Sequence, residues 1–551
     1  MLKYNPIEVM DNMTGAETIT TKRPFYKEPD FVIFFIIVMA ATALRLYQLD
    51  VRPFHHDEAA VGSFTYKLFT NGNYEYNPVF HGPFLYFLTF GIFNLIGDSI
   101  FSARLVPALT GVGMVLLTFA LRRYLGSPGW LIAAAFFAVS PSFLYYSRFF
   151  RNDIFITFFT LTTIICAAKY LEKGNKPGRL LFLALGAASL GFSVTAKENA
   201  YVIIAMFVFP VVLFILYNIG KKLRNRNFIH MSTVFIEQNI FRIVLDIGIL
   251  VIVFLIIYVT FYSNFFSDLP AAKTATYNAF SHWFKMHEIE RLDGPPYYYF
   301  PLLFLYELPI ILFAFTGSID YIVGFVKSRE NPMMAFMVYW FAANLAFYSY
   351  LGEKVPWLIL HPLLPAILIA SAYLGESLPN LKQRPRWAEA IFIVILVVSS
   401  SFFIYTSYNL NYRNYANPAE PLIQASQAPK EFNEFMDTLN QVAMDHQGYR
   451  TKIQVADEEM ETQLLWHLRH YTNIKWKVNL DENPPLDAYL IIVHDLDADY
   501  VDEILGDDYQ RLDSAKMAWY HFKPSDINYW YVMYRWMDRE QSEYGVVLYY
   551  R

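Results

Sequence analysis

The feature that most constrains this chain is a series of apolar runs, each about as long as a bilayer is thick. A helix needs roughly 20 apolar residues to cross the hydrocarbon core. Runs of that kind lie at 31–49, 101–121, 129–147, 154–171, 180–196, 200–219, 241–262, 299–326, 333–351, 357–375 and 389–407. A backbone in lipid must satisfy its own hydrogen bonds, so such runs must be helical. They predict a polytopic α-helical membrane protein with about eleven transmembrane helices. The first run follows Lys22, Arg23 and Lys27. It reads as a span, since no short apolar core with a small-residue cleavage site follows. Pro83–Gly97 is shorter and follows His81-Gly82, which reads as a juxtamembrane or re-entrant helix.

Charge is scarce and unevenly placed. Charged residues are 17% of the chain, against about 25% in soluble domains. Residues 410–551 hold 24 Asp and Glu against 13 Lys and Arg, a net −11, whereas residues 1–409 are net +6. The single cysteine, Cys166, excludes a disulfide framework and a cysteine metal site.

Basic residues orient the spans. With a cytoplasmic N-terminus, one set of turns carries Arg122 and Arg123; Lys173, Lys176 and Arg179; Lys221, Lys222, Arg224 and Arg226; Lys327 and Arg329; Lys382, Arg384 and Arg386. Every one is basic, as the positive-inside rule requires of cytoplasmic turns. The expected layout is a cytoplasmic segment 1–30, a membrane domain 31–409 and an acidic extracytoplasmic domain 410–551. The membrane domain has a first outward loop at 50–100 and a long one at 263–298. Asn409–Pro421 is the linker. In the tail, helical stretches at Lys430–Ala443, Met460–Tyr471 and Ala498–Leu505 alternate with strand-like runs at Ile453–Ala456, Ile474–Val478, Ala488–Val493 and Val546–Tyr549. That alternation predicts an α/β domain.

The outward loops collect the ionisable residues. The first holds His55-His56-Asp57-Glu58 and, later, His81. The next hold Arg148, Arg151 and Asp153, then Lys197-Glu198-Asn199, then Glu353-Lys354 before Trp357 and His361. Ionisable groups at membrane ends are costly unless paired or hydrated, so clusters on one side imply one shared polar cavity. Asp57 and Glu58 offer one carboxylate as a general base and a second to orient an acceptor or bind another group. Arg148, Arg151 and Lys354 offer fixed positive charge to an anionic leaving group such as a lipid phosphate.

Each cluster has a plainer reading. Asp57 and Glu58 could cap a helix beginning near Ala59. Arg148, Arg151 and Asp153 could be interfacial side chains with a local ion pair. Lys197 and Glu198 could be a solvated loop, Glu353 and Lys354 a rim salt bridge, and His81 a structural hydrogen bond. His55, His56 and His81 raise a divalent metal, but their spacing is not that of a tight ligand set, so no metal or other cofactor is expected. No phosphate-cradling G-x-x-x-x-G-K-[ST] or G-x-G-x-x-G loop occurs. A soluble nucleotide donor or ATP-driven transport is therefore unsupported, and no nucleic-acid partner is expected.

The order of elements resembles a known family. A first span is followed by Asp57-Glu58 and by His81-Gly82-Pro83-Phe84. Then come Gly97-Asp98, Arg104 with Pro107, Ser140-Pro141, and Ser147-Arg148 before Asp153. This resembles the GT-C glycosyltransferases of the protein-mannosyltransferase and lipid A aminoarabinose transferase type, over about residues 30–200. The segment Gly352–Pro365, with Trp466–Arg469, looks like a narrower group, the flippase-activity-associated membrane proteins of archaea and some bacteria. The resemblance implies a transferase in the cell membrane. It would use a polyprenyl- or dolichyl-phosphate sugar, mannose-like or related, on the outer face among membrane lipids. It implies Asp57 as base, Glu58 as its partner, and Arg148 and Asp153 near the donor phosphate and cavity wall. A flippase or non-catalytic accessory that binds lipid-linked sugar is the alternative. The loop 263–298 and the α/β tail depart from the eukaryotic mannosyltransferases, so the acceptor is not inherited.

Overall fold

The computed structural model describes residues 29–551, apart from 73, 175, 177, 224–225, 289–293, 327–330, 353, 384, 418–419, 424–426, 457–459, 481–485, 520–524, 526, 529–530 and 533–541. The segment 1–28, Arg224, Lys327, Arg329, Glu353 and Arg384 therefore lie outside the described residues.

Every apolar run named above is helical. Eight described helices are long and apolar enough to cross a membrane, from Pro29–Leu46 at the start to Arg386–Arg413. The run 129–147 is a bent pair, Gly129–Val139 and Pro141–Ser147, which as one span would make nine. The bend of 56° falls where Pro141 lacks an N–H and the Ser140 hydroxyl caps the second piece at Phe143. Two further runs form Asn199–Leu223 and Pro332–Tyr350. Expected as one helix, 299–326 is instead broken into Tyr299–Tyr306 and Leu308–Val326. Pro309 causes the break, because the residues before a proline resist helical geometry. The short run becomes Phe84–Ile96.

Close helix packing needs small residues. A Cβ on Gly375 would fall 2.7 Å from the Gly129 Cα, so these two helices touch backbone to backbone.

The tail forms a mixed five-stranded sheet in the order β2-β1-β3-β5-β4. Its strands are β1 (Ile453–Ala456), β2 (Ile474–Lys475), β3 (Leu490–His494), β4 (Gln510–Trp519) and β5 (Ser542–Tyr550). The first three are parallel, and β5 runs antiparallel to β3 and β4. Alternation along the strands splits them between two faces. Ile453, Val455, Leu490, Ile492 and Leu548 meet the helix Glu431–His446, whose Phe432, Phe435, Met436, Leu439 and Ala443 form one apolar stripe. Ile491, Val493, Val547 and Tyr549 meet Val501 and Leu505 of Ala498–Leu505 on the other face. Strand β4 went unread in the sequence because Gln510, Arg511, Asp513 and Ser514 interrupt its apolar pattern.

The tail is docked on the loop after the first span. Gln427 bridges to His55 and donates to the Pro53 carbonyl at 3.1 Å. The Asn433 amide donates to Val51 O at 3.0 Å. Trp466 is buried against Phe54 and Phe93, with ring centroids 5.0 and 6.2 Å away. Its ring lies so near Gly62 that a Cβ there would fall 2.7 Å from it. Arg469 closes the seam with Asp98, donating from Nε to the carboxylate at 2.7 Å and from Nη2 to the carbonyl at 2.8 Å.

Candidate functional site

The helix His56–Asn71 opens with a capping box. The His55 ring accepts from the Asp57 N–H at 3.0 Å, while the Glu58 carboxylate accepts from the His55 N–H at 3.1 Å. This geometry sends the two adjacent acids in different directions.

Glu58 points inward and is fully buried. Arg104 donates to it from Nε at 2.8 Å and from Nη2 at 2.6 Å, and Arg52 approaches at 3.3 Å. The Phe150 N–H also donates to it at 2.8 Å. Burial alone would raise the Glu58 carboxyl; Arg104, Arg52 and the Phe150 amide outweigh it and hold it down, to about 2. Arg104 spends its remaining donors on the carbonyls of Leu49, Arg52 and Pro53. The expectation that Glu58 orients an acceptor is therefore corrected: its oxygens are filled, and it fixes the loop that carries Asp57.

Asp57 keeps 35% of its side chain exposed and pairs with Arg151, 94 residues on. The Arg151 guanidinium lies 3.8 Å over the Trp357 ring. It also reaches His81 Nε2 at 3.3 Å and lies 3.7 Å from Asp153. Asp153 is buried and accepts from Lys197 Nζ at 2.8 Å. Glu198 binds His81 Nδ1 at 3.1 Å and accepts from the Tyr76 hydroxyl at 2.7 Å. Burial would raise the Glu198 carboxyl, but His81 and Tyr76 bring it below its ordinary value. With carboxylate at Nδ1 and guanidinium at Nε2, the partners assign the Nδ1–H tautomer to His81. One hydrogen-bonded chain thus runs from Tyr76 through Glu198, His81 and Arg151 to Asp57.

The backbone explains why His81 precedes a glycine. A Cβ on Gly82 would sit 2.1 Å from the Thr195 carbonyl, and the Gly82 N–H donates to Ala196 O at 3.2 Å. The first loop is thereby pressed against the segment that presents Lys197 and Glu198. His81 itself takes φ 67°, a strained setting of the kind that collects at functional sites.

Two expected cations lie elsewhere. Arg148 donates to the carbonyls of Leu44, Arg45, Tyr47 and Gln48, closing the C-terminal end of the first helix. Burial draws its guanidinium down to about 10, so it stays charged at neutral pH. Lys354 donates to the carbonyls of Tyr348, Ser349 and Leu351 at the end of Pro332–Tyr350. Both were expected to face a leaving phosphate; both instead cap helices. His56 stands at the helix start, half-buried. Arg52 and Tyr76 were not singled out from the sequence, and Arg104 entered only as part of the family resemblance, not as a site residue. The signal for Arg104 was present, since an arginine inside an apolar run demands a partner.

The family model of the dolichyl-phosphate-mannose-protein mannosyltransferases matches residues 80–242. A curated undecaprenyl phosphate-alpha-4-amino-4-deoxy-L-arabinose arabinosyl transferase of Pseudomonas fluorescens is 27% identical over 304 residues. That match takes in 53% of this chain and 49% of the relative, so the chain spans about half the length of the curated relative it matches. ArnT from Cupriavidus metallidurans in the apo state superposes with a TM-score of 0.53 at 16% identity, covering 94% of this chain and 97% of that one. The Archaeoglobus fulgidus oligosaccharyltransferase gives 0.53 at 13% identity, over 83% and 64% of the two chains. The fold is therefore the one these two solved structures share, with at least eight helices among the described residues long and apolar enough to cross a membrane. In sequence, the chain is similar to the mannosyltransferase family over residues 80–242 and to the arabinosyl transferase over about half its length.

Proposed function

We propose that this chain is a membrane glycosyltransferase that moves a sugar from a polyprenyl- or dolichyl-phosphate donor to an acceptor hydroxyl on the outer face. The observation that carries this reading is the convergence of Asp57, His81, Arg151, Asp153, Lys197 and Glu198, from separate loops, around the one carboxylate that stays partly open. Asp57 takes the acceptor proton as the new glycosidic bond forms at the anomeric carbon. The bond from that carbon to the phosphate oxygen breaks, and the lipid phosphate leaves with the electron pair. Arg151 is the shared cation. It holds Asp57 at rest, and turns to the phosphate when donor is bound, releasing Asp57 as base. Glu198 and His81 position Arg151 from behind.

The mannosyltransferase family match supports a mannose-like hexose. The curated relative is named for an amino sugar, which supports a cationic amino sugar as a second candidate donor. The assay should therefore carry both donors. Asp57→Asn in purified protein should lower transfer by ~10²–10⁴-fold. Undiminished transfer would remove Asp57 as base.

A further inference from the structure

A second cavity lies at the far end of the bundle. Asp153 begins the helix Asp153–Lys173, whose 21 residues carry the chain about 30 Å to its other end. There the ends of three helices enclose a cavity of about 220 Å³. Arg122 and Arg123 come from the end of Ile100–Leu125, Lys169 and Lys173 from the end of Asp153–Lys173, and Phe182 from the start of Arg179–Ala196. Glu172 is the single acid in the lining. Lys169 Nζ stands 6.0 Å from the Phe182 ring centre and the same distance from Tyr124. Arg122 lies 4.1 Å over Phe119 and donates to its carbonyl at 3.1 Å.

Positive-inside bias accounts for basic residues at this end. It does not account for their gathering around a concave site with an aromatic wall. On the helix that carries Phe182 the neighbouring face turns apolar and open: Leu181 and Leu185 are 60% and 46% exposed. Four cations against one acid favour a phosphate group, and an adjoining leucine wall favours acyl chains.

We propose that this cavity binds the headgroup of an anionic phospholipid, with its chains along Leu181 and Leu185. The site sits across the membrane from Asp57, is independent of the transfer reaction, and takes a resident lipid instead of the sugar donor.

The test is native mass spectrometry of the full-length protein in detergent, titrated with phosphatidylglycerol or phosphatidylcholine. The wild type should retain phosphatidylglycerol preferentially. Each neutralised cation should weaken that binding roughly five-fold. Lys169→Gln is the mildest variant and Arg122→Gln with Lys169→Gln the stronger one; the side chains line an open cavity, so folding should survive. A Lys176→Gln/Lys382→Gln control removes two exposed charges outside the cavity and should leave the preference intact. The proposal is overturned if the control loses the preference as much as the cavity variants do. Equal retention of phosphatidylcholine overturns it too. Competition by inorganic phosphate at equal concentration would show a free-anion site and overturn the lipid as occupant.

Discussion

Asp57 and Glu58 stand side by side at the start of one helix, yet a single turn of backbone gives them different work. Glu58 is sealed between Arg104 and Arg52, while Asp57 looks out at Arg151. Removing one partner of a buried charge pair leaves the other uncompensated and costs about 3–5 kcal/mol. Glu58→Gln should therefore destabilise the protein by that amount in thermal unfolding. Asp57→Asn, half open to water, should change it by about 1 kcal/mol or less. Equal losses would contradict the division of roles. The sign with pH follows. The folded Glu58 carboxyl is held at about 2, below its ordinary 4.5, so its stabilisation is complete above 4.5 and is lost as pH falls through about 2. Acid unfolding of Glu58→Gln should lack this component. Arg148 and Arg151 divide likewise. Arg148→Gln should lower the melting temperature and leave KM for the donor unchanged, because its donors serve helix carbonyls. Arg151→Gln should also lower the melting temperature, since Arg151 is buried beside Asp153, but unlike Arg148→Gln it should raise KM or lower kcat.

At the scale of elements, the seam between the tail and the first loop rests on the segment Glu461–His467. Trp466→Ala should cost about 3–5 kcal/mol, as for other large core aromatics. Gly62→Ala should open the same seam by driving a methyl into the Trp466 ring. Limited proteolysis of the tail reads both. His467 adds a pH response. Burial, with Arg469 nearby, holds its imidazole down to about 3, against an ordinary 6.5. The unfolded chain binds this proton more readily, so stability is complete above 6.5 and declines as pH falls from there toward about 3. His467→Gln should flatten that decline. The helices themselves were legible, because a run of apolar residues in lipid has few alternatives. What could not be read was where they break. Glu307 interrupts an apolar run and, fully buried, accepts from Ser140 and the Ser142 N–H, two segments that periodicity does not connect. The site was legible in part: Asp57, His81, Arg151 and Glu198 announced themselves as charge in outward loops. That Glu58 is held by Arg104 depends on packing 46 residues away in sequence, which loop composition does not reveal.

For the whole molecule, the docking of the tail on the first loop ties it to the end of the bundle that carries Asp57. From the basic turns we propose that this end lies outside. Cysteine labelling checks this, since the one native thiol, Cys166, is buried. In intact cells, an impermeant maleimide should label Leu496→Cys, an exposed position in the tail. Lys176→Cys should react only after the membrane is opened. The reverse pattern would invert the topology and move the site to the cytoplasm.

The proposed role of the Asp57 cluster is chemistry on a lipid-phosphate sugar. Its most direct test is release of lipid phosphate by the purified full-length protein in vesicles, given mannosyl or aminoarabinosyl donor together with a cell-envelope extract as acceptor. Lipid phosphate should appear in step with glycosylated product, and both should fall together in Asp57→Asn. Lipid-linked sugar that crosses the vesicle bilayer while no lipid phosphate is released would contradict it.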